Sequence, residues 1–160
     1  MAFSAKKYRK TTEVKHLSYN KEDTDIKSKT VAEKISIPYS YMYNVAYEYN
    51  AEKKVYERYV DGSLHMSQTG DCLTAKNIII YKINNYNLND GENKGRQEIS
   101  NIGSGTGYYI TNGKLVNINW SKSSRADRTK YTLEDGTPLV LNPGNTYIQI
   151  VPASSEITIN

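Results

Sequence analysis

An all-β fold, an antiparallel sandwich or partly open barrel built from hairpins with at most short helices, is predicted by three features of this sequence. The first is a period-two run. Ile35, Ile37, Tyr39, Tyr41, Tyr43, Val45, Tyr47 and Tyr49 take odd positions, while Lys34, Ser36, Ser40, Asn44, Glu48 and Asn50 take even ones. Alternation sustained that long is the mark of a strand with one apolar, aromatic face. The second is the pair Asn112-Gly113 between β-prone runs, the strongest short-range hairpin signal. The third is that no segment longer than a turn or two carries helical periodicity.

Taken in order, residues 1–30 are charged and weakly periodic ("KKYRK", then "KEDTDIK") and read as a solvated extension lying across the domain or partly disordered, with 31–160 as the β domain. Asp23 and Asp25 have the flavour of a calcium loop, but no Gly-then-Glu follows in register, so the EF-hand pattern fails. In the alternating run Pro38 donates nothing to a ladder, so it marks an edge, a bulge or a break. "NAEKK" turns the chain into "VYERYV", and "VDGS" turns it again. "AKNIIIYKIN" is continuously apolar and β-branched, which reads as a buried strand. "NLNDGENKGRQ" is a polar loop, "KYTLEDGTPLVL" turns at Asp135-Gly136, and "LNPGNT" places Pro143 and Gly144 as a type II turn wants them. "YIQIVP" is a closing strand that ends at Pro152.

The stretch "NIGSGTGYYITNGKLVNINW", residues 101–120, holds three glycines two apart. A phosphate-cradling glycine loop needs a helix after it to supply free N–H groups and a positive dipole end. Here a hairpin follows, so these glycines belong to a strand. A two-residue turn at 112–113 pairs Thr111 with Lys114, Tyr109 with Val116, Gly107 with Ile118, Gly105 with Trp120 and Gly103 with Lys122. The three glycines then share one face and leave a shallow trough. The indole of Trp120 fills it across Gly105, a device also used in designed sheets. Otherwise the trough takes an aromatic or sugar ring from a partner, with Trp120 and Lys122 at its lip.

Composition narrows the function. One domain, or one domain with an appendage, fits 160 residues. Fifteen tyrosines against one Phe and one Trp imply a core whose rim stays wet. Cys72 is the single cysteine, which removes intramolecular disulfides and cysteine metal sites. No metal or cofactor pattern is present. A net charge of +4 suits an acidic partner but is modest for nucleic acid, and none is expected. The N-terminal stretch has no apolar run behind its basic residues, so no signal peptide or membrane anchor is read there.

The series "YNAEKKVYERYVDGSLHMSQTGDCLTAKNIII", "GSGTGYYITNGKLVNINWSK" and "DGTPLVLNPGNTYIQIVP" resembles, in order over 35–152, the C-terminal region of the YerB-like family, a domain of unknown function found in bacterial lipoproteins. The resemblance implies that the full-length protein is extracytoplasmic and membrane-anchored through a lipid, in Gram-positive-type bacteria, with another domain N-terminal to this one. It implies no established activity. These residues hold neither a lipobox cysteine nor a signal, so the resemblance points to an excised domain, with 1–30 an inter-domain remnant. An acidic residue is expected shortly after the histidine of "GSLHMSQTG", where Ser67 stands instead. That weakens a catalytic role for His65.

Three function classes follow. The first is a non-enzymatic envelope module that binds an anionic wall polymer or a surface protein, with Lys114, Lys122, Arg125, Arg128 and Lys130 gathered between the hairpin and the next strand. The second is a wall-directed hydrolase, for which His65, Cys72 and Asp71 would have to converge. The third is a structural domain packing on its N-terminal neighbour. No catalytic residue is assigned. The candidate binding residues are Trp120, Lys122, Arg125, Tyr109 and His65.

Overall fold

In the computed structural model residues 17–92 and 94–160 are described, and among them the chain is all strand, without a helix. The KKYRK run and His16 lie outside the described residues. In chain order the strands are β1 (Ser18–Tyr19), β2 (Lys34–Ser40), β3 (Tyr43–Asn50), β4 (Val55–Val60), β5 (Ser63–Leu64), β6 (Thr74–Ala75), β7 (Asn77–Ile83), β8 (Asn85–Asn87), β9 (Gln97–Ile99), β10 (Gly103–Thr111), β11 (Lys114–Lys122), β12 (Lys130–Leu133), β13 (Val140–Leu141), β14 (Thr146–Pro152) and β15 (Thr158–Ile159). One sheet has the order β12-β11-β10-β7-β14. A second has the order β15-β2-β3-β4-β5, with β6 added on β4. Two small ribbons, β1-β13 and β8-β9, complete the set. The pairing is antiparallel except for β7 with β14 and β1 with β13, which run parallel.

The two large sheets pack face to face as a sandwich. Between them Ile35, Ile37, Val45, Tyr47 and Tyr56 of one sheet meet Ile78, Ile80, Ile110, Leu115 and Val151 of the other. A second core lies on the opposite face of the five-stranded sheet, where Ile79, Tyr81, Tyr109, Ile118 and Trp120 pack with Leu139 and Leu141. β7 is thus buried on both faces up to Tyr81, which is why Ile78, Ile79, Ile80 and Tyr81 form an unbroken apolar run, with exposed Lys82 following. Each isoleucine it buries is worth about 1.5–3 kcal/mol.

The alternating run from Ile35 to Tyr49 is two strands rather than one. The chain turns at Tyr41-Met42, and the register shifts between Pro38 and Ser40. Ser40 pairs with Tyr43, but Ile37 pairs with Val45 and Ile35 with Tyr47. The extra residue in the bulge restores odd-to-odd pairing, so odd positions face the core on both strands and one parity survives the turn.

The 112–113 hairpin has the expected register from Thr111–Lys114 to Gly103–Lys122. Asn112 (φ 50°) and Gly113 (φ 72°) both take positive φ, the geometry of a type I′ turn. Residues 17–30 lie across the domain. Asn20 N–H donates to Leu141 O at 2.8 Å, Thr24 N–H to Asn142 Oδ1 at 2.9 Å, and Leu17 and Ile26 pack on the second core. Asp23 accepts from Lys76 Nζ at 2.9 Å and from Asn112 Nδ2 at 3.0 Å, tying this segment to the hairpin turn.

Candidate functional site

On β4 the residues Tyr56 and Arg58 share the inward parity, so the strand that sends a tyrosine into the core sends a guanidinium in beside it. Arg58 is 7% exposed. Across the ladder it faces Tyr47, and its backbone carbonyl accepts from His65 N–H at 2.8 Å, which brings His65 alongside. The guanidinium hydrogen-bonds the Nδ1 of His65, reaches Tyr43 Oη at 3.4 Å, and lies 5.5 Å from the ring centre of Tyr147 on β14. Behind it, Gln149 of β14 donates to Tyr47 Oη and accepts from Tyr39 Oη.

No carboxylate pairs with Arg58 among the described residues, and its Nε–H is buried without a partner. A buried charge normally meets an opposite one. Burial works against the Arg58 cation, but the hydroxyls of Tyr43 and Tyr47 outweigh it and hold its pKa above the ordinary value. Burial, reinforced by neighbouring tyrosines, pushes Tyr39 up to about 12. Burial does the same to Tyr47, also to about 12, against the pull of Arg58. These phenols therefore stay protonated and remain donors. With Tyr43 43% exposed and His65 and Tyr147 half-buried at the rim, the donors left open are the guanidinium and the Tyr43 hydroxyl, since Tyr39 already donates to Gln149 and Tyr47 is fully buried. That is the donor set a carboxylate or phosphate oxygen accepts from.

Of the residues singled out in the sequence, His65 belongs to this cluster and the others lie elsewhere. Trp120 is 5% exposed and stacks on Tyr81 with ring centres 5.0 Å apart. A Cβ placed on Gly105 would stand 2.9 Å from its Nε1, so the indole occupies the space over that glycine. Gly107 is closed by Tyr81 and the β7 backbone, and only Gly103 keeps open space beside it. Tyr109 is buried, donating to Asn77 Oδ1 at 2.8 Å and accepting from Asn142 N–H at 3.0 Å. Lys122 is half-buried, its Nζ 2.6 Å from the Asp127 carbonyl oxygen. Arg125 is exposed and lines a cleft with Tyr86, Leu88, Ile99 and Ile102. Lys114 sits at the turn end of β11 and Lys122 at the other end, eight residues or about 26 Å apart along the strand.

His65, Asp71 and Cys72 share one hairpin but face different neighbours. His65 meets Arg58 on the inner side, and Asp71 accepts from Thr69 Oγ1 at 2.8 Å. Cys72 is half-buried, with its thiol directed at Leu73 O. No nucleophile–base pair forms from these three.

Sequence reasoning missed Arg58, because "VYERYV" is equally amphipathic in both parities: Val55, Glu57, Tyr59 against Tyr56, Arg58, Val60. The one available signal was the same-parity neighbour Tyr56.

The geometry defines a two-sheet β domain with a buried, uncompensated cation at one end. Residues 35–148 match the family model described as the C-terminal domain of a protein of unknown function, DUF3048, and the chain belongs to that family. It is similar to the crystal structure of YerB from Bacillus subtilis, with a TM-score of 0.69 and 22% identity over 89% of this chain. It spans 46% of the YerB chain. No curated protein matches it.

Proposed function

We propose that this chain is a non-enzymatic binding module of an extracytoplasmic bacterial protein, receiving an anionic group of a cell-envelope polymer or of a surface protein at Arg58. The observation that carries this reading is the guanidinium that is buried without a carboxylate. A core position holding an unpaired cation costs stability, and a ligand that brings the missing negative charge gives the position a purpose. The modest positive charge of the chain supports the same reading by favouring encounter with an acidic partner.

The test has two parts. The Nε–H resonance of Arg58 is followed by NMR while inorganic phosphate or acetate is added. Retention of the domain is then measured on cell-wall sacculi, with and without teichoic acid, across salt concentrations. The expected results are a saturable shift at Arg58, and salt-sensitive retention that Arg58→Met abolishes. An Arg58 resonance that ignores both anions, or retention unchanged by Arg58→Met, overturns the proposal.

A further inference from the structure

The five-stranded sheet extends beyond the sheet that covers it. On the face turned to the first core, Ile110 and Leu115 next to the hairpin turn are buried. The following rungs on that face, Tyr108 with Asn117 and Thr106 with Asn119, emerge as half-buried or exposed pairs. They line a cavity of about 290 Å³ whose charged members are Lys82 and Glu134, one of each sign. Ile80 supplies an apolar floor and Ile157 adds to the lining, while Ile118 between the two asparagines turns its side chain into the second core.

Two features set this shelf apart from an ordinary solvated sheet face. Asparagine is depleted in strands, where β-branched and aromatic side chains pack better, yet Asn117 and Asn119 hold two central positions of a nine-residue strand. Their hydrogen-bonding capacity is also largely unspent. Asn117 gives one side-chain bond, to Glu134 Oε1 at 3.1 Å, while Asn119, Thr106 and the Tyr108 hydroxyl have no side-chain partner among the described residues. An aromatic ring, two amides and a hydroxyl, with no net charge around them, match a ligand that is neutral, ring-shaped and covered with hydroxyl or acetamido groups. The cavity falls just below the range of about 300–1,000 Å³ common for small-molecule sites, so it suits one sugar ring better than a larger ligand.

We propose that this shelf is a glycan site, seating a pyranose ring against Tyr108 with its polar substituents held by Asn117, Asn119 and Thr106. It is separate from the Arg58 cluster, since none of its residues touches that guanidinium.

The test is an NMR titration with chitotetraose, using maltotetraose as a second glycan. The expected result is a saturable shift of the Asn117 and Asn119 side-chain amides with at least one of the two. Tyr108→Ala weakens binding by about tenfold. Asn119→Ala, at a half-buried position with no side-chain bond among the described residues, weakens it while the remaining spectrum stays that of the folded domain. Arg58→Met leaves the response intact, which separates this proposal from the anion site. No shift at these amides with either glycan overturns the proposal. So does a response that survives both shelf variants or disappears in Arg58→Met.

Discussion

Replacing Arg58 by methionine should make the domain more stable and remove its anion response. Methionine keeps the unbranched stem and much of the volume, and it needs no counter-charge. The guanidinium is 7% exposed, and desolvating an ion costs several kcal/mol even after relaxation. Against that stand the bond to His65, a 3.4 Å contact with Tyr43 and the Tyr147 ring 5.5 Å away. Hydrogen bonds to a charged group return about 1.5–3 kcal/mol each when well formed, and a cation–π contact about 0.5–2 kcal/mol. The hydroxyls of Tyr43 and Tyr47 favour the cation over a neutral arginine, but a buried methionine needs neither hydration nor partners, whereas the Nε–H stays unpaired and the Tyr43 contact is long. We expect Arg58→Met to gain about 1–3 kcal/mol, as hydrophobic replacement of buried ionic groups often does. For a chain of this size that is a rise in Tm of roughly 3–10 °C. The assay is urea and thermal unfolding followed by Trp120 fluorescence, paired with the phosphate and acetate titration. A loss of more than about 2 kcal/mol would refute the reasoning, because the guanidinium would then hold the sandwich end together.

Other substitutions probe the frame. A Cβ on Gly107 would run into the Ile80 carbonyl oxygen and stand 2.9 Å from Tyr81 Cβ, so Gly107→Ala should cost about 3 kcal/mol by prising β10 from β7. Gly105→Ala meets the movable indole of Trp120 instead, and should cost less while changing its emission; equal losses in urea unfolding would contradict this. Tyr109→Phe removes the hydroxyl that Asn77 and Asn142 share in the second core, leaving buried polar groups unpaired at about 1–3 kcal/mol, measurable as a lower urea midpoint. Burial raises the Asp23 pKa, but hydrogen bonds from Lys76 and Asn112 and the charges of Lys76 and Lys54 outweigh it, holding the carboxyl below its usual value. Its stabilisation is therefore full above the unfolded pKa of about 3.9 and is lost as pH falls through the lower folded value. Asp23 is solvent-exposed, so Asp23→Asn should cost up to about 1 kcal/mol near neutral pH, with the gap to wild type closing in acid.

The legible parts of the fold were those fixed by local chemistry. Asn112-Gly113 accepts positive φ at both turn positions, so one dipeptide set the pairing of nine residues on each side, including Trp120 over Gly105. The hairpin at Tyr41-Met42 was hidden because its turn carries no glycine or asparagine and the bulge before it preserves parity. The parallel contact of β7 with β14 was not readable either. Asn77 and Thr146 are 69 positions apart, and nothing local selects that partner. The site followed the same division. His65 was visible as one of two histidines, whereas the Arg58 cluster draws on β2, β3, β4 and β14, which meet only when both sheets are assembled.

The two-sided burial of β7 also sets an order of events. Its isoleucines and tyrosine satisfy both cores, yet its second ladder comes from the strand made last among its neighbours. Until Thr146–Pro152 has been synthesised, β7 has one edge open, and its most β-prone stretch stands ready to pair with a second chain. Closing that edge is a high-separation step, slow relative to the hairpins on either side. A chain stopped a few residues short of β14 would therefore differ from the finished one less in content than in fate: its hairpins would form, and its most hydrophobic ribbon would seek a neighbour.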